Sequence, residues 1–167
     1  MAFTIYDASV PVFTRMLTSL GKVLDKGAAF AEARKIDPAA LLATRLYPDM
    51  FPLLRQVQTA TDHAKGAAAR LSRTEIPKFP DNETSFAELA GRLDKTIAFI
   101  GSIDPKAFDG ATDRDVTLVL GGKERLVNGQ AYLLQTAWPN FFFHVTTAYA
   151  ILRHVGVEIG KRDYLGT

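Results

Sequence analysis

The stretch Pro139-Asn140-Phe141-Phe142-Phe143-His144-Val145-Thr146-Thr147-Ala148-Tyr149-Ala150-Ile151-Leu152-Arg153-His154 constrains the fold most, because its apolar residues recur at helical spacing with a histidine set among them. At about 100° per residue, Leu134, Ala137, Phe141, Ala148, Ile151 and Val155 fall within about 80° of His144. The spacing predicts a helix that turns a titratable group toward the interior. Trp138 and Phe142 lie on the outer side. So do Tyr149 and Arg153, four apart, where stacking of the guanidinium on the ring is expected. A helix apolar nearly all round must be covered twice, either by the rest of the chain or by a second subunit, and a homodimer is the predicted partner.

The rest of the sequence sets the class. In 167 residues, 47% of them hydrophobic, no Pro/Gly/Ser-rich linker divides the chain, so residues 1–167 read as one domain. Twenty basic against eighteen acidic residues are scattered rather than blocked, which argues against nucleic acid as a partner. There is no cysteine, so disulfides, thiolate metal sites and a cysteine nucleophile are excluded. The first residues lack the basic and apolar regions of a signal peptide, and a cytoplasmic location is expected. Arg15, Lys22, Asp62, Lys65, Asp94, Lys95 and Arg153 interrupt the longest apolar stretches. None therefore reaches the roughly 20 residues of a membrane span, and no membrane partner is expected.

Periodicity predicts four long helices and one hairpin, an all-α class. Tyr6, Ser9, Val10, Phe13, Met16, Leu17, Leu20 and Leu24 repeat at three and four, with Pro11 inside the run. Asp37-Pro38 opens a short helix to about Leu42. A second long helix runs from near Asp49 to about Ser72, with Met50, Leu54, Val57, Thr61, Ala64 and Ala68 inward. Pro77 and Pro80 impose an extended connection before Ser85-Phe86-Ala87-Glu88, a capping box that opens the third helix. Val116, Leu118 and Leu120 then alternate up to Gly121-Gly122, and Lys123-Glu124-Arg125-Leu126-Val127 returns as a β-hairpin. Asn128 or its neighbour caps the fourth helix, and the tail 161–166 is free to fold back or to contact a partner.

A four-helix bundle commonly houses a site in its core. Leu46-Tyr47-Pro48-Asp49-Met50-Phe51-Pro52-Leu53, Gln56-Val57-Gln58, Asp62-His63-Ala64-Lys65-Gly66, the segment 139–156 and Gly160-Lys161-Arg162-Asp163 resemble the DinB/YfiT-like superfamily over almost the whole chain. More narrowly, they resemble its domain of unknown function numbered nineteen ninety-three. The resemblance implies a DinB/YfiT-like four-helix bundle with a small β-hairpin before the last long helix. It also implies a divalent metal held by one histidine of the second helix and a His-x-x-x-His pair of the fourth, serving thiol-dependent transferases or hydrolases. His144 matches the first of that pair, but the residue four later is Ala148. His154 lies roughly 15 Å further along the axis and cannot share an ion with His144. His63 matches the second-helix ligand, yet it falls about 160° from the stripe centred on Thr61, on the face of Gln56, Thr59 and Arg70. It is therefore expected near solvent or at a subunit interface.

The candidate metal ligands are His144 and His63, with zinc or nickel as the ion and the triad incomplete at Ala148. The candidate pocket is His144 with Asn140, Thr147, Gln58, Thr61, Asp62 and Lys65. Asn140 and Thr147 are placed to satisfy the ring nitrogens of His144. Asp62 and Lys65 can pair across one turn, or with Gln58 can orient a small anionic or amide substrate. No nucleophile elbow or phosphate-binding loop is present. Two functions follow. One is a metal-poor, non-catalytic dimer that binds a small molecule around His144. The other is a divalent-metal-dependent transferase or hydrolase of thiol-dependent type with His144 as surviving ligand.

Overall fold

The computed structural model describes residues 3–167. Helix α1 spans Ile5–Arg34, opened by Thr4, whose hydroxyl accepts from the Asp7 backbone N–H while Asp7 returns the bond. A short α2, Pro38–Leu42, begins at Asp37 as the Asp-Pro pair predicts. Helix α3 is Leu53–Ser72 and α4 is Phe86–Gly101, the latter started by the Ser85/Glu88 capping box. A 3₁₀ turn at Pro105–Phe108 leads into strands β1, Asp115–Leu120, and β2, Lys123–Asn128. They pair antiparallel with Leu120 opposite Lys123, and Gly121 and Gly122 both hold positive φ, as a two-residue turn matching strand twist requires.

The last long helix is assembled from α5, Gly129–Tyr132, a π turn at Leu133–Ala137, and α6, Trp138–His154. Asn128 caps its start by accepting from Ala131 N–H at 2.8 Å. The sequence predicts one regular helix here; Pro139 is the physical reason for the wider turn. Proline has no N–H and its ring collides with the carbonyl four residues back. Opening the turn by one residue removes that collision, and the Trp138 N–H bonds the Leu133 carbonyl, five back.

The long helices close a ring in the order α1, α4, α3, α6. The apolar stripes predicted from the sequence line its interior except at Leu134, which is exposed, and Met50, which precedes α3: Phe13 meets Phe141 edge-on at 4.8 Å, with Leu17, Leu24, Val57, Leu89, Leu93 and Ile151 buried around them. Ala60, Ala64, Ala67 and Ala68 on α3 are fully buried and let its neighbours approach closely. Among the described residues no helix is long and apolar enough to cross a membrane.

The outer side of α6 is covered within the chain. Trp138 Nε1 donates to the Ala8 carbonyl at 3.0 Å. A short α7, Lys161–Leu165, folds the tail back: Tyr164 meets Thr146 hydroxyl to hydroxyl at 3.0 Å, and Lys26 pairs with Asp163 at 2.6 Å. Tyr149 packs edge-on against Tyr164 rather than under Arg153, which is exposed. The chain itself thus supplies much of the cover for which the sequence reading invoked a second subunit.

Gly129 sits where the hairpin hands over to the last helix, against the Ala111 carbonyl and Leu71, with no room for a methyl group. Gly129→Ala is expected to cost about 1–3 kcal/mol by overpacking. Gly91→Ala, in open space on α4, is expected to gain about 0.5–1 kcal/mol. Urea unfolding of the two variants checks the opposite signs.

Candidate functional site

Helix α3 carries polar side chains on two faces, and the structure gives each face its own partner. Gln56 and His63, two turns apart, face α6. Gln58, Thr61, Asp62 and Lys65 turn toward α4 and the connector that precedes it.

On the first face, His144 comes from the middle of α6 and is 8% exposed. Its Nδ1 lies 2.7 Å from Gln56 Oε1. The Gln56 amide is oriented in turn, because its Nε2 donates to the Phe51 carbonyl at 3.0 Å. With the amide oxygen aimed at the ring, Nδ1 carries the proton and Nε2 keeps its lone pair. No fully buried side-chain nitrogen or oxygen lacks a partner among the described residues, so Nε2, which has none, opens to the surface. The His63 ring lies nearly parallel to His144, centroids 5.5 Å apart. Phe51 lies parallel at 6.3 Å, and Phe143 stands edge-on at 5.3 Å. Phe51 and Phe143 are about half exposed and give the imidazoles an apolar rim.

Both histidines are held neutral. Burial, the neighbouring His63 and the charge of Arg55 lower the His144 pKa from 6.5 to about 4. Burial also lowers that of His63; Asp62 opposes the shift and Arg70 reinforces it. The pair therefore offers hydrogen-bond acceptors near neutral pH. A general base works best with a pKa near the operating pH, and His144 lies well below it.

The second face is built around Arg92 of α4, a guanidinium only 2% exposed. Nε donates to Thr61 Oγ1 at 2.7 Å. Nη1 donates to the Pro80 carbonyl and to Glu83, both at 3.1 Å; Nη2 donates to Asp62 at 2.9 Å and forms an ion pair with Asp81, also at 2.9 Å. Each of the three nitrogens of the fork donates at least one hydrogen bond. Lys65, also buried, pairs with Asp62 at 2.7 Å and lies 4.5 Å from the Phe79 ring centre. Gln58 donates to Glu83 at 2.9 Å, and Arg55 binds both Asp81 and Gln58. For Asp81, burial works against the charge, but Arg55 and Arg92 outweigh it and hold the carboxyl below its usual range.

This arrangement corrects the sequence reading in three places. His63 is not turned away from His144; half-buried, it stacks on that ring, because α3 is packed by α6 on one side and α4 on the other. A stripe centred on Thr61 describes one of those sides alone. Gln58, Thr61, Asp62 and Lys65 join Arg92 instead of His144. The partner of His144 is Gln56, while Asn140 and Thr147 donate to the Thr136 and Phe143 carbonyls of their own helix. Asn140 still stands one turn before His144 on the same side. Arg92 had a readable signal: a charge at the spacing of the apolar stripe formed by Leu89, Leu93 and Ile100. Gln56 had none that separates it from a surface glutamine.

The residues present do not complete a three-histidine metal site. Ala148, four after His144, is fully buried, and no group of three or more His, Asp or Glu side chains among the described residues is placed to share an ion.

Four long helices with a hairpin before the last define a DinB-like protein. The chain belongs to the family described as Domain of unknown function (DUF1993), whose model matches residues 5–165. It is similar to the crystal structure of a DinB family member protein from Shewanella denitrificans at 1.83 Å resolution, with 41% identity and a TM-score of 0.92 over 98% of this chain and 92% of that one. The comparison with curated proteins gives no match.

Two outcomes follow from the geometry. Arg92→Met leaves Asp62, Asp81 and Glu83 facing one another without their shared cation and is expected to cost about 3–5 kcal/mol in urea unfolding. Arg92→Lys, with a compact ammonium in place of the fork, should recover only part of that loss. For His144, the folded pKa is below the unfolded one, so the unfolded chain binds more protons between them and stability falls as pH drops from 6.5 toward 4. Urea midpoints over that range should fall less for His144→Gln than for the unsubstituted protein. Parallel curves would refute the assignment.

Proposed function

We propose that this protein binds a small molecule at His63 and His144 without metal and without turnover. The observation that carries the reading is the relay from the Phe51 carbonyl through the Gln56 amide to His144 Nδ1, which commits Nε2 to accept a hydrogen bond at the surface. The rings of Phe51 and Phe143 beside it suit a planar apolar body, since recognition sites combine apolar lining with a few placed polar atoms. The low basicity of His144 supports binding over proton transfer. Dimer formation stays part of the proposal through the exposed Val119, Leu126 and Leu134, which a second copy would cover.

The divalent-metal-dependent transferase or hydrolase has one observation in its favour: two neutral imidazoles lie 5.5 Å apart, close enough to contribute two ligands. It lacks the third ligand side chain.

Indole and benzamide titrated against the protein in the presence of a chelator, with the histidine ring protons followed by NMR, test the proposal. The signals of His63 and His144 should move and that of His154 should not, and His144→Ala should abolish the response. Stoichiometric zinc or nickel that survives purification and is lost with His144→Ala would instead favour the metal enzyme.

A further inference from the structure

The α3 face that carries Gln56 and His63 continues to Gly66 and Arg70, three and seven residues beyond His63, so all four share one side of the helix. Arg70 is exposed and, among the described residues, makes no ion pair. Its guanidinium nonetheless lies back along the helix. Nη1 is 3.5 Å from the Tyr132 hydroxyl of α5, and a Cβ added at Gly66 would lie 2.6 Å from that same nitrogen. Glycine weakens a helix interior relative to alanine, yet here its missing side chain is the space into which Arg70 folds. The neighbouring carboxylate, Asp62, is engaged by Arg92 and Lys65 on the other side of α3. The charge of Arg70 reaches His63, where it helps to keep the imidazole neutral.

A cation without a counter-charge thus lies on the same helix face as His63, whose ring stacks on His144. We propose that Arg70, in the space over Gly66, binds the carboxylate of a small aromatic carboxylic acid whose ring lies toward His63, His144 and Phe143. This rests on the small-molecule reading of the histidine pair and gives its ligand a class. The planar fork of arginine matches the two oxygens of a carboxylate. One uncompensated cation with neutral histidines balances one negative charge, which favours a monoanion over a phosphate dianion. Tyr132, buried with its hydroxyl toward the same Nη1, leaves the other nitrogens of the fork for the carboxylate.

The test compares benzoate with benzamide, its neutral counterpart of nearly the same shape, by NMR titration of the His63 and His144 ring protons. Benzoate should bind at least tenfold more tightly than benzamide and should raise the pKa of His63 by placing an anion beside it. Arg70→Met and Gly66→Ala should each erase the preference for benzoate while leaving benzamide unchanged. Only the flexible end of Arg70 must move to admit the alanine, so both variants keep the fold, which circular dichroism verifies. Equal affinities in the unsubstituted protein, or a preference that survives Arg70→Met, would overturn the carboxylate assignment while benzamide binding upheld the site. If neither compound moved either histidine, the small-molecule reading would fall with it.

Discussion

The buried guanidinium of Arg92 is the interaction on which the arrangement of this bundle depends. A charge that far from water is tolerated only when its donors are met and its charge is balanced. Arg92, on α4, draws its partners from two other parts of the chain: Thr61 and Asp62 on α3, and Pro80, Asp81 and Glu83 on the connector. Hydrophobic packing alone would leave α3 and α4 free to slide and the connector free to lift. The guanidinium fork fixes the register of both helices and ties down a segment that has no regular structure of its own. Arg55 and Lys65 extend the network, so that three cations face three carboxylates.

Fixing α3 against α4 also fixes what α3 presents to α6. Gln58, Thr61, Asp62 and Lys65 are held on one face, which turns Gln56, His63, Gly66 and Arg70 to the other. Arg55 connects the two systems: it binds Asp81 and Gln58 in the network, lies 5.9 Å from the Phe51 ring centre, and contributes to the low pKa of His144. The histidine pair therefore rests on a stabilised ion network, and its neutrality is partly set by a residue of that network. Across α6 the π turn required by Pro139 comes between Tyr132 and His144, so the backbone register of the site departs from that of a regular helix.

Much of the fold was legible because its signals are local. The capping box at Ser85, the Asp37-Pro38 start, the Gly121-Gly122 turn, the Asn128 cap and the apolar stripes each depend on residues within a few positions of one another. The resemblance motifs led to the superfamily by the same kind of local reading. The site was less legible. His144 was singled out by its place in an apolar stripe, but its neighbours were assigned by angle around a single buried face. That assumption holds for a helix with one packed side and fails for α3, which has two. An angle measured from that one face puts His63 outside the site and the Arg92 partners inside it.

The sequence by itself determined the four long helices, the hairpin, the family and the interior histidine, because periodicity, caps and turn residues act within one or two turns of chain. Only the tertiary structure decided which face of α3 meets which neighbour, that Gln56 holds His144 in one tautomer, that His63 stacks beside it, and that Arg70 lies back over Gly66. Those are contacts between elements far apart in sequence. They depend on the rotation of each helix about its own axis, and that rotation is set by the shared burial of Arg92 and by close packing along the alanines of α3.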